Sequence, residues 1–188
     1  GKWIIQNAFS MCTECRKYYP EFRVSINLSY VQILKSPLMM ELKQMIECSG
    51  ISCSGIIVEL TESGYLEGTP AVRSVWNDMK QLRIQIALDD FGTGYSNLMN
   101  ISNLEPDIVK LDRGFTLKAL SRSYEYQLMQ YVIEMVHKLN QYVCVEGVET
   151  KEDLEKIKAL GPDLIQGYYY SKPCSRDEFL KKFFGHSE

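Results

Sequence analysis

Ile84-Gln85-Ile86-Ala87-Leu88-Asp89-Asp90 decides the fold: an apolar run rich in β-branched residues that breaks off on two carboxylates. Such runs suit strands. The pattern recurs in Val24-Ser25-Ile26-Asn27, Ile56-Ile57-Val58-Glu59 and Tyr142-Val143-Cys144-Val145-Glu146, and in shorter form in Ile108-Val109-Lys110 and Leu164-Ile165-Gln166. Each run ends on a polar or charged residue. In a barrel of parallel strands the C-terminal strand ends share one face, so these scattered residues would converge as one site.

Helical patterns separate the runs. Trp3 to Cys15 has helical apolar periodicity. Ser36-Pro37 opens a helix that closes at Gly50, with Pro37 at the first helical position, where its missing N–H costs nothing. Thr69-Pro70 opens another that buries Val72, Val75, Trp76 and Met79. Tyr124 to Asn140 reads as a longer amphipathic helix carrying Leu128, Tyr131, Val132, Met135 and Val136. Thr150 caps a helix with Leu154, Ile157 and Leu160, which Gly161-Pro162 ends. Ser175 and Glu178 form a capping box for the last helix.

Strand followed by helix, repeated, implies a parallel sheet with right-handed crossovers. Eight such units need roughly 250 residues, and this chain falls about two units short. It opens on helical periodicity without an initiator methionine. The expected fold is therefore α/β, a TIM-like (β/α)₈ barrel lacking its first strand and helix, with residues 1–188 forming one N-terminally truncated domain. An open doubly wound sheet would bind ligands at a topological switch point instead. No Gly-x-Gly-x-x-Gly fingerprint supports it.

A chain of 188 residues, 45% hydrophobic and 24% charged, can bury a sizeable core. Its formal net charge of -3 argues against a binder of DNA or RNA polymers, which would show a basic stripe. No apolar stretch approaches the roughly 20 residues that span a bilayer, and Gly1-Lys2-Trp3 does not begin a signal peptide. A soluble cytoplasmic domain without membrane contact is expected. Cys12-x-x-Cys15 and the Cys48/Cys53 pair invite a zinc reading. Their helical settings, and that of Cys144 in a strand, suit small buried thiols better. The histidines, His137 and His186, lie away from the strand ends, so any metal there must be held mainly by oxygen.

Glu59, Asp89, Asp90 and Glu146 supply carboxylates and Asn27 an amide oxygen, a ligand set for hard divalent cations such as Mg²⁺ or Mn²⁺. Any single one could merely cap a helix or sit solvated. Five convergent positions favour a site. Adjacent Asp89 and Asp90 point apart in a regular strand, so each could serve a different ion or one could bridge two. Lys110 is a poor Schiff-base nucleophile among anions. It suits orienting a water or offsetting charge on a transferring phosphoryl group. Structural pairing with Asp112, two residues on, is the alternative. Phe91-Gly92-Thr93-Gly94-Tyr95-Ser96 reads as a tight loop able to approach a ligand.

Taken together, Asn27-Leu28-Ser29, Glu59-Leu60-Thr61-Glu62-Ser63, Asp89 through Ser96, Lys110-Leu111-Asp112-Arg113, Glu146-Gly147-Val148-Glu149-Thr150 and Gln166-Gly167-Tyr168 resemble, in order and approximate spacing, the EAL-domain cyclic di-GMP phosphodiesterases. The resemblance implies a metal-dependent hydrolase that opens cyclic di-GMP, a second messenger, to linear pGpG with two Mg²⁺ or Mn²⁺ ions. It implies Asn27, Glu59 and Asp89 at the first ion, with Asp89 shared and Asp90 and Glu146 at the second. Glu146 is alternatively a general base. Glu62 would hold the loop, Lys110 would contact the attacking water, and Asp112 and Glu149 would support the site. Gln166, Thr93, Gly94 and Ser29 would lie at the substrate or just behind it.

The Glu-Ala-Leu tripeptide that names the family does not occur in the 188 residues. Its glutamate is a metal ligand in the family, so the parent is expected to be active and these residues alone impaired. Sensory or GGDEF-type domains are expected partners in the parent chain, which is open to membrane anchoring, and a homodimer through helices near the substrate loop is plausible. A non-catalytic cyclic di-GMP receptor is the main alternative, disfavoured by Glu62 and the intact loop. A carboxylate-metal lyase or aldolase lacks a low-pKa lysine, and the HD-GYP hydrolases need histidines that this chain does not offer.

Overall fold

The computed structural model describes residues 1–29, 32, 37–61, 70–93, 101 and 104–185. Its elements, in chain order, are α1 (Lys2–Cys15), β1 (Val24–Asn27), α2 (Leu38–Ser49), β2 (Ile56–Thr61), α3 (Pro70–Gln81), β3 (Gln85–Phe91), β4 (Ile108–Leu111), α4 (Arg113–Ser121), α5 (Ser123–Lys138), β5 (Tyr142–Val145), α6 (Lys151–Lys158), β6 (Leu164–Ile165) and α7 (Arg176–Phe184). The sheet takes its strands in chain order. β1 pairs with β2, β3 with β4, β4 with β5 and β5 with β6, all parallel. Strand order, parallel pairing and intervening helices are those of a partial (β/α)₈ barrel, the expected class.

Contacts divide the chain into two compact units, one of Gly1–Leu60, Gly64–Ile86 and Pro173–Glu188, the other of Thr61–Ser63 and Ala87–Lys172. In the first, α1 buries Ile5, Phe9 and Cys12, and α2 buries Leu38, Leu42 and Met45, both at i, i+4, i+7. α3 buries Val72, Trp76 and Met79 as its spacing predicts, with Val75 only half-buried. Pro37 stands at the N-cap of α2, one position ahead of the first helical residue where it was expected. Gly50 ends that helix at φ 65°, its N–H donating to Ile46. Phe179 and Phe184 of α7 meet Phe22 edge-on. The Ser175 and Glu178 capping box forms, and the Ser175 N–H and hydroxyl hold the Glu178 carboxyl below its usual pKa.

Cys12 and Cys15 are fully buried on α1, and burial pushes the Cys15 thiol up to about 11. Both are protonated at neutral pH, as small apolar side chains are.

The second unit is built on β4 and β5, whose register sets Ile108 beside Tyr142, Val109 beside Val143 and Lys110 beside Cys144. Thr150 and Asp153 cap α6 reciprocally, as expected. Asp163 accepts from Val143 N–H at 2.7 Å and pairs with His137 at 2.9 Å, tying the end of α5 to the starts of β5 and β6. α4 was not foreseen. It is short, and its start is set by Asp112, whose carboxylate accepts from Gly114 N–H at 2.7 Å.

One helix face also departs from the sequence reading. α5 buries Met129, Ile133 and Val136, whereas Leu128 and Tyr131 are 43% and 66% exposed. Tyr124, Leu128 and Tyr131 repeat at the same helical spacing as the buried trio, so periodicity alone supplied two candidate faces. The aliphatic face went inward, and the two tyrosines kept their hydroxyls in water. Met129→Ala should therefore lower the unfolding free energy by about 2–5 kcal/mol, and Leu128→Ala by less than about 0.5. Urea denaturation of the two variants checks this, and equal losses would show that the faces are misassigned.

Candidate active site

Among the described site candidates of the second unit, Lys110 is the most buried. It is 5% exposed, on a strand flanked by β3 and β5. Its ammonium lies 2.9 Å from Asp89 Oδ1 and 2.6 Å from Glu146 Oε1. Register explains both contacts. Cys144 is level with Lys110, and Glu146, two residues on, returns to the same side of the sheet. On the other flank, Leu88 is level with Val109 and Phe91 with Leu111, so β3 sets two residues, Asp89 and Asp90, against Lys110 alone.

That bulge changes what adjacent aspartates can do. In a regular strand they would face opposite sides, whereas the extra residue re-aims the chain locally. Asp90 takes φ 61°, a left-handed conformation that aspartate tolerates better than most residues. Both aspartates are half-buried at the strand's end. Asp89 Oδ1 is buried and accepts no hydrogen bond; the lysine charge beside it is its compensation. A buried anionic oxygen with spare acceptor capacity is a ready ligand for a hard cation.

Lys110 therefore pairs with Asp89 and Glu146, and the alternative pairing with Asp112 does not form. Asp112 caps α4. Its N–H donates to Phe91 O at 3.0 Å, just as Glu146 N–H donates to Leu111 O at 3.1 Å, which carries the sheet bonding one residue past each strand. Glu149 is exposed and accepts from Arg113 Nη2 at 2.7 Å and Nε at 3.2 Å. Gln166 is exposed, its main chain bonded to Val145 and Val148. Thr93 is exposed beyond Gly92, which at φ 104° packs on the Phe115 ring.

In the first unit, Asn27 and Glu59 are register partners of β1 and β2 and so project to one side. Glu59 is 7% exposed, Asn27 is open, and Leu28 N–H donates to Glu59 O at 3.0 Å. Ser29 follows, exchanging bonds with Gln32. Glu62 and Gly94 lie outside the described residues.

The strand ends differ in detail from the sequence reading. β1 stops on Asn27, but β2 continues two residues past Glu59, and β5 and β6 stop one short of Glu146 and Gln166. Among the described residues no group of three or more His, Cys, Asp or Glu side chains stands close enough to hold a metal ion. A cavity of about 830 Å³ lies elsewhere, along α1 and α2 with Arg176, and none of the predicted site residues lines it.

The EAL domain sequence profile matches residues 1–173. Cyclic di-GMP phosphodiesterase PdeF of Escherichia coli (strain K12) is 31% identical over 171 residues, covering 91% of this chain and 23% of that protein. The chain thus spans about a quarter of such a relative. The EAL enzyme Bd1971, solved with cAMP and cyclic di-GMP bound, superposes with a TM-score of 0.89 at 29% identity, over 96% of this chain and 50% of the other. Klebsiella pneumoniae BlrP1, in a manganese and cyclic di-GMP complex at pH 6, gives 0.77 at 25%, over 91% and 43%.

The trio makes Lys110 structurally costly to lose. Lys110→Met should destabilise the protein by about 3–5 kcal/mol, because it strands two largely buried carboxylates. Adding Asp89→Asn should recover part of that loss. Chemical denaturation of the single and double variants measures it, and strict additivity would show that the charges are not coupled.

Proposed function

This chain belongs to the EAL domain family, and from that premise we propose that it hydrolyses cyclic di-GMP to linear pGpG with divalent metal ions. The observation that carries the reading is the buried Lys110 held between Asp89 and Glu146. PdeF bears the name of that activity, and Bd1971 and BlrP1 were solved with the nucleotide.

The donor set fits hard cations: only oxygen is offered, and Asp89 Oδ1 has unused acceptor capacity. In this reading Asn27, Glu59 and Asp89 would hold one Mg²⁺ or Mn²⁺, and Asp89, Asp90 and Glu146 would hold the other. Such ions, when bound, lower the pKa of water and stabilise the leaving oxygen of an in-line displacement. The chain's own groups do the rest. Lys110 holds the Asp89 and Glu146 carboxylates in place and sets an ammonium where a phosphoryl group would gain negative charge. Asp112 fixes the turn from β4 into α4 behind it. In the same reading Glu62, which lies outside the described residues, would hold the loop after β3, and Thr93, Gly94, Ser29 and Gln166 would meet the nucleotide or the residues that do.

No helix among the described residues is long and apolar enough to cross a membrane, and the reading places the domain in the cytoplasm. It includes a homodimer, supported by the exposed Tyr124, Leu128 and Tyr131 stripe on α5. Tyr131→Glu should shift the sedimentation coefficient towards a monomer's, and a wild-type chain monomeric at high concentration would remove the dimer from the reading.

The activity is tested by incubating the chain, with and without an N-terminal extension restoring the Glu-Ala-Leu segment, with cyclic di-GMP and Mg²⁺ or Mn²⁺. Linear product is followed by chromatography. The extended chain should turn over, the 188 residues alone much more slowly, and a chelator should stop both. Asp89→Asn should cost more than about 100-fold, since losing even a residue behind the ligands costs 10–100-fold. Tight, metal-independent binding without cleavage would make the domain a receptor, and neither binding nor cleavage would sink both readings.

A further inference from the structure

We propose that Arg113 is a positioning residue that fixes Glu146 by clamping the turn from Glu146 to Thr150, an inference that rests on the hydrolase reading of that site. Arg113 belongs to the Lys110-Leu111-Asp112-Arg113 segment but has no part in the chemistry above. Its surroundings supply one.

The chain leaves β5 at Val145, and the Glu146 N–H is held by Leu111 O. Gly147 then turns at φ 78°. A side chain there would collide with Arg113, its Cβ coming within 2.8 Å of the Arg113 Cβ and 3.1 Å of its Cα. The arginine stem thus occupies the space that glycine leaves. Beyond the stem, the guanidinium donates twice to Glu149 Oε1, at 2.7 and 3.2 Å. One side chain therefore grips the turn both just after Glu146 and at Glu149.

The far side of the turn is held independently. Val148 N–H donates to Gln166 O at 3.2 Å, and Val148 O accepts from Tyr169 N–H at 3.0 Å. Gly167 allows this approach, because a Cβ there would come 2.5 Å from the Val148 nitrogen. Between the Glu146 N–H bonded to Leu111 O and the anchored Val148, Gly147 is the flexible point of the turn, and that is the point the Arg113 stem packs against.

The pair is 57% and 38% exposed, so it adds little to global stability. Its effect falls on geometry, where a misplacement of about 1 Å can cost about 100-fold in rate. Loss of rate without loss of stability is the signature of the clamp.

Arg113→Met keeps the stem and removes the guanidinium, while Arg113→Lys restores the charge without the planar fork. Cyclic di-GMP hydrolysis, Glu146 amide hydrogen exchange and melting temperature are measured on the chain extended through the Glu-Ala-Leu segment. Arg113→Met should lower kcat about tenfold with KM within about twofold, the mark of an interaction that acts on the transition state. It should speed Glu146 exchange severalfold and leave Leu154 exchange on α6 and the melting temperature unchanged. Arg113→Lys should recover part of both effects, and Arg113→Met combined with Glu149→Gln should be no worse than the poorer single variant. Unchanged kcat and exchange, or a loss that tracks a fall in melting temperature, would overturn the proposal. If the wild-type chain leaves cyclic di-GMP intact, the hydrolase reading falls, and the clamp stands or falls on Glu146 exchange alone.

Discussion

A lysine ammonium buried between two carboxylates is the constraint on which the second unit turns. Removing Lys110, Asp89 and Glu146 from water costs several kcal/mol for each ion, and their mutual attraction offsets it only if the geometry is held closely. Parallel register does the holding: β4 lies between β3 and β5, and the flanking strands deliver one carboxylate to each side of the lysine. These three side chains sum to one negative charge, the sign that the proposed cation binding requires. A purely structural ion pair would have been better balanced. The imbalance is where fold energetics and chemistry meet.

Much of this was legible because strands and their polar ends follow from composition. β-branched runs ending on Asn27, Glu59, Asp89, Lys110, Glu146 and Gln166 located the strands, and Thr150 and Ser175 with their partners three residues on located two helix starts. What was not legible depends on contacts remote in sequence. Register between β3 and β4 creates the bulge, and nothing in Leu88-Asp89-Asp90-Phe91 alone announces it. The choice of Asp89 and Glu146 over Asp112 as lysine partners required knowing that Asp112 was already engaged by Gly114. The inward face of α5 could not be read from a helix with two apolar stripes. The pairing of Arg113 with Glu149 joins residues 36 apart.

The glycines after the site residues show how local conformation serves placement. Gly147 follows Glu146 at a positive φ, in a space that a neighbouring side chain fills, and Gly167 follows Gln166 against the main chain of Val148. In both cases the residue with functional chemistry is followed by one with no side chain. The backbone can then turn at once, and the strand end stays close to its neighbour. A bulkier residue would push the turn outward and carry the functional group with it.

Three departures from an unstrained, fully paired interior meet where β3 lies beside β4. Asp89 Oδ1 lacks a hydrogen bond although it is buried, Asp90 adopts φ 61°, and Lys110 is buried with charge in imbalance. Elsewhere in the same unit most local rules agree: Asp163 is paired twice, the α6 box is closed, and Met129, Ile133 and Val136 are wholly interior, whereas Gln141 Oε1 is also buried without a hydrogen bond and Glu105 and Asn140 also take positive φ. Local violations persist when a consistent scaffold compensates for them, and they persist through selection when they are used. The departures at the end of β3 centre on carboxylates beside a buried lysine, which is the arrangement that the proposed binding of positive charge would use.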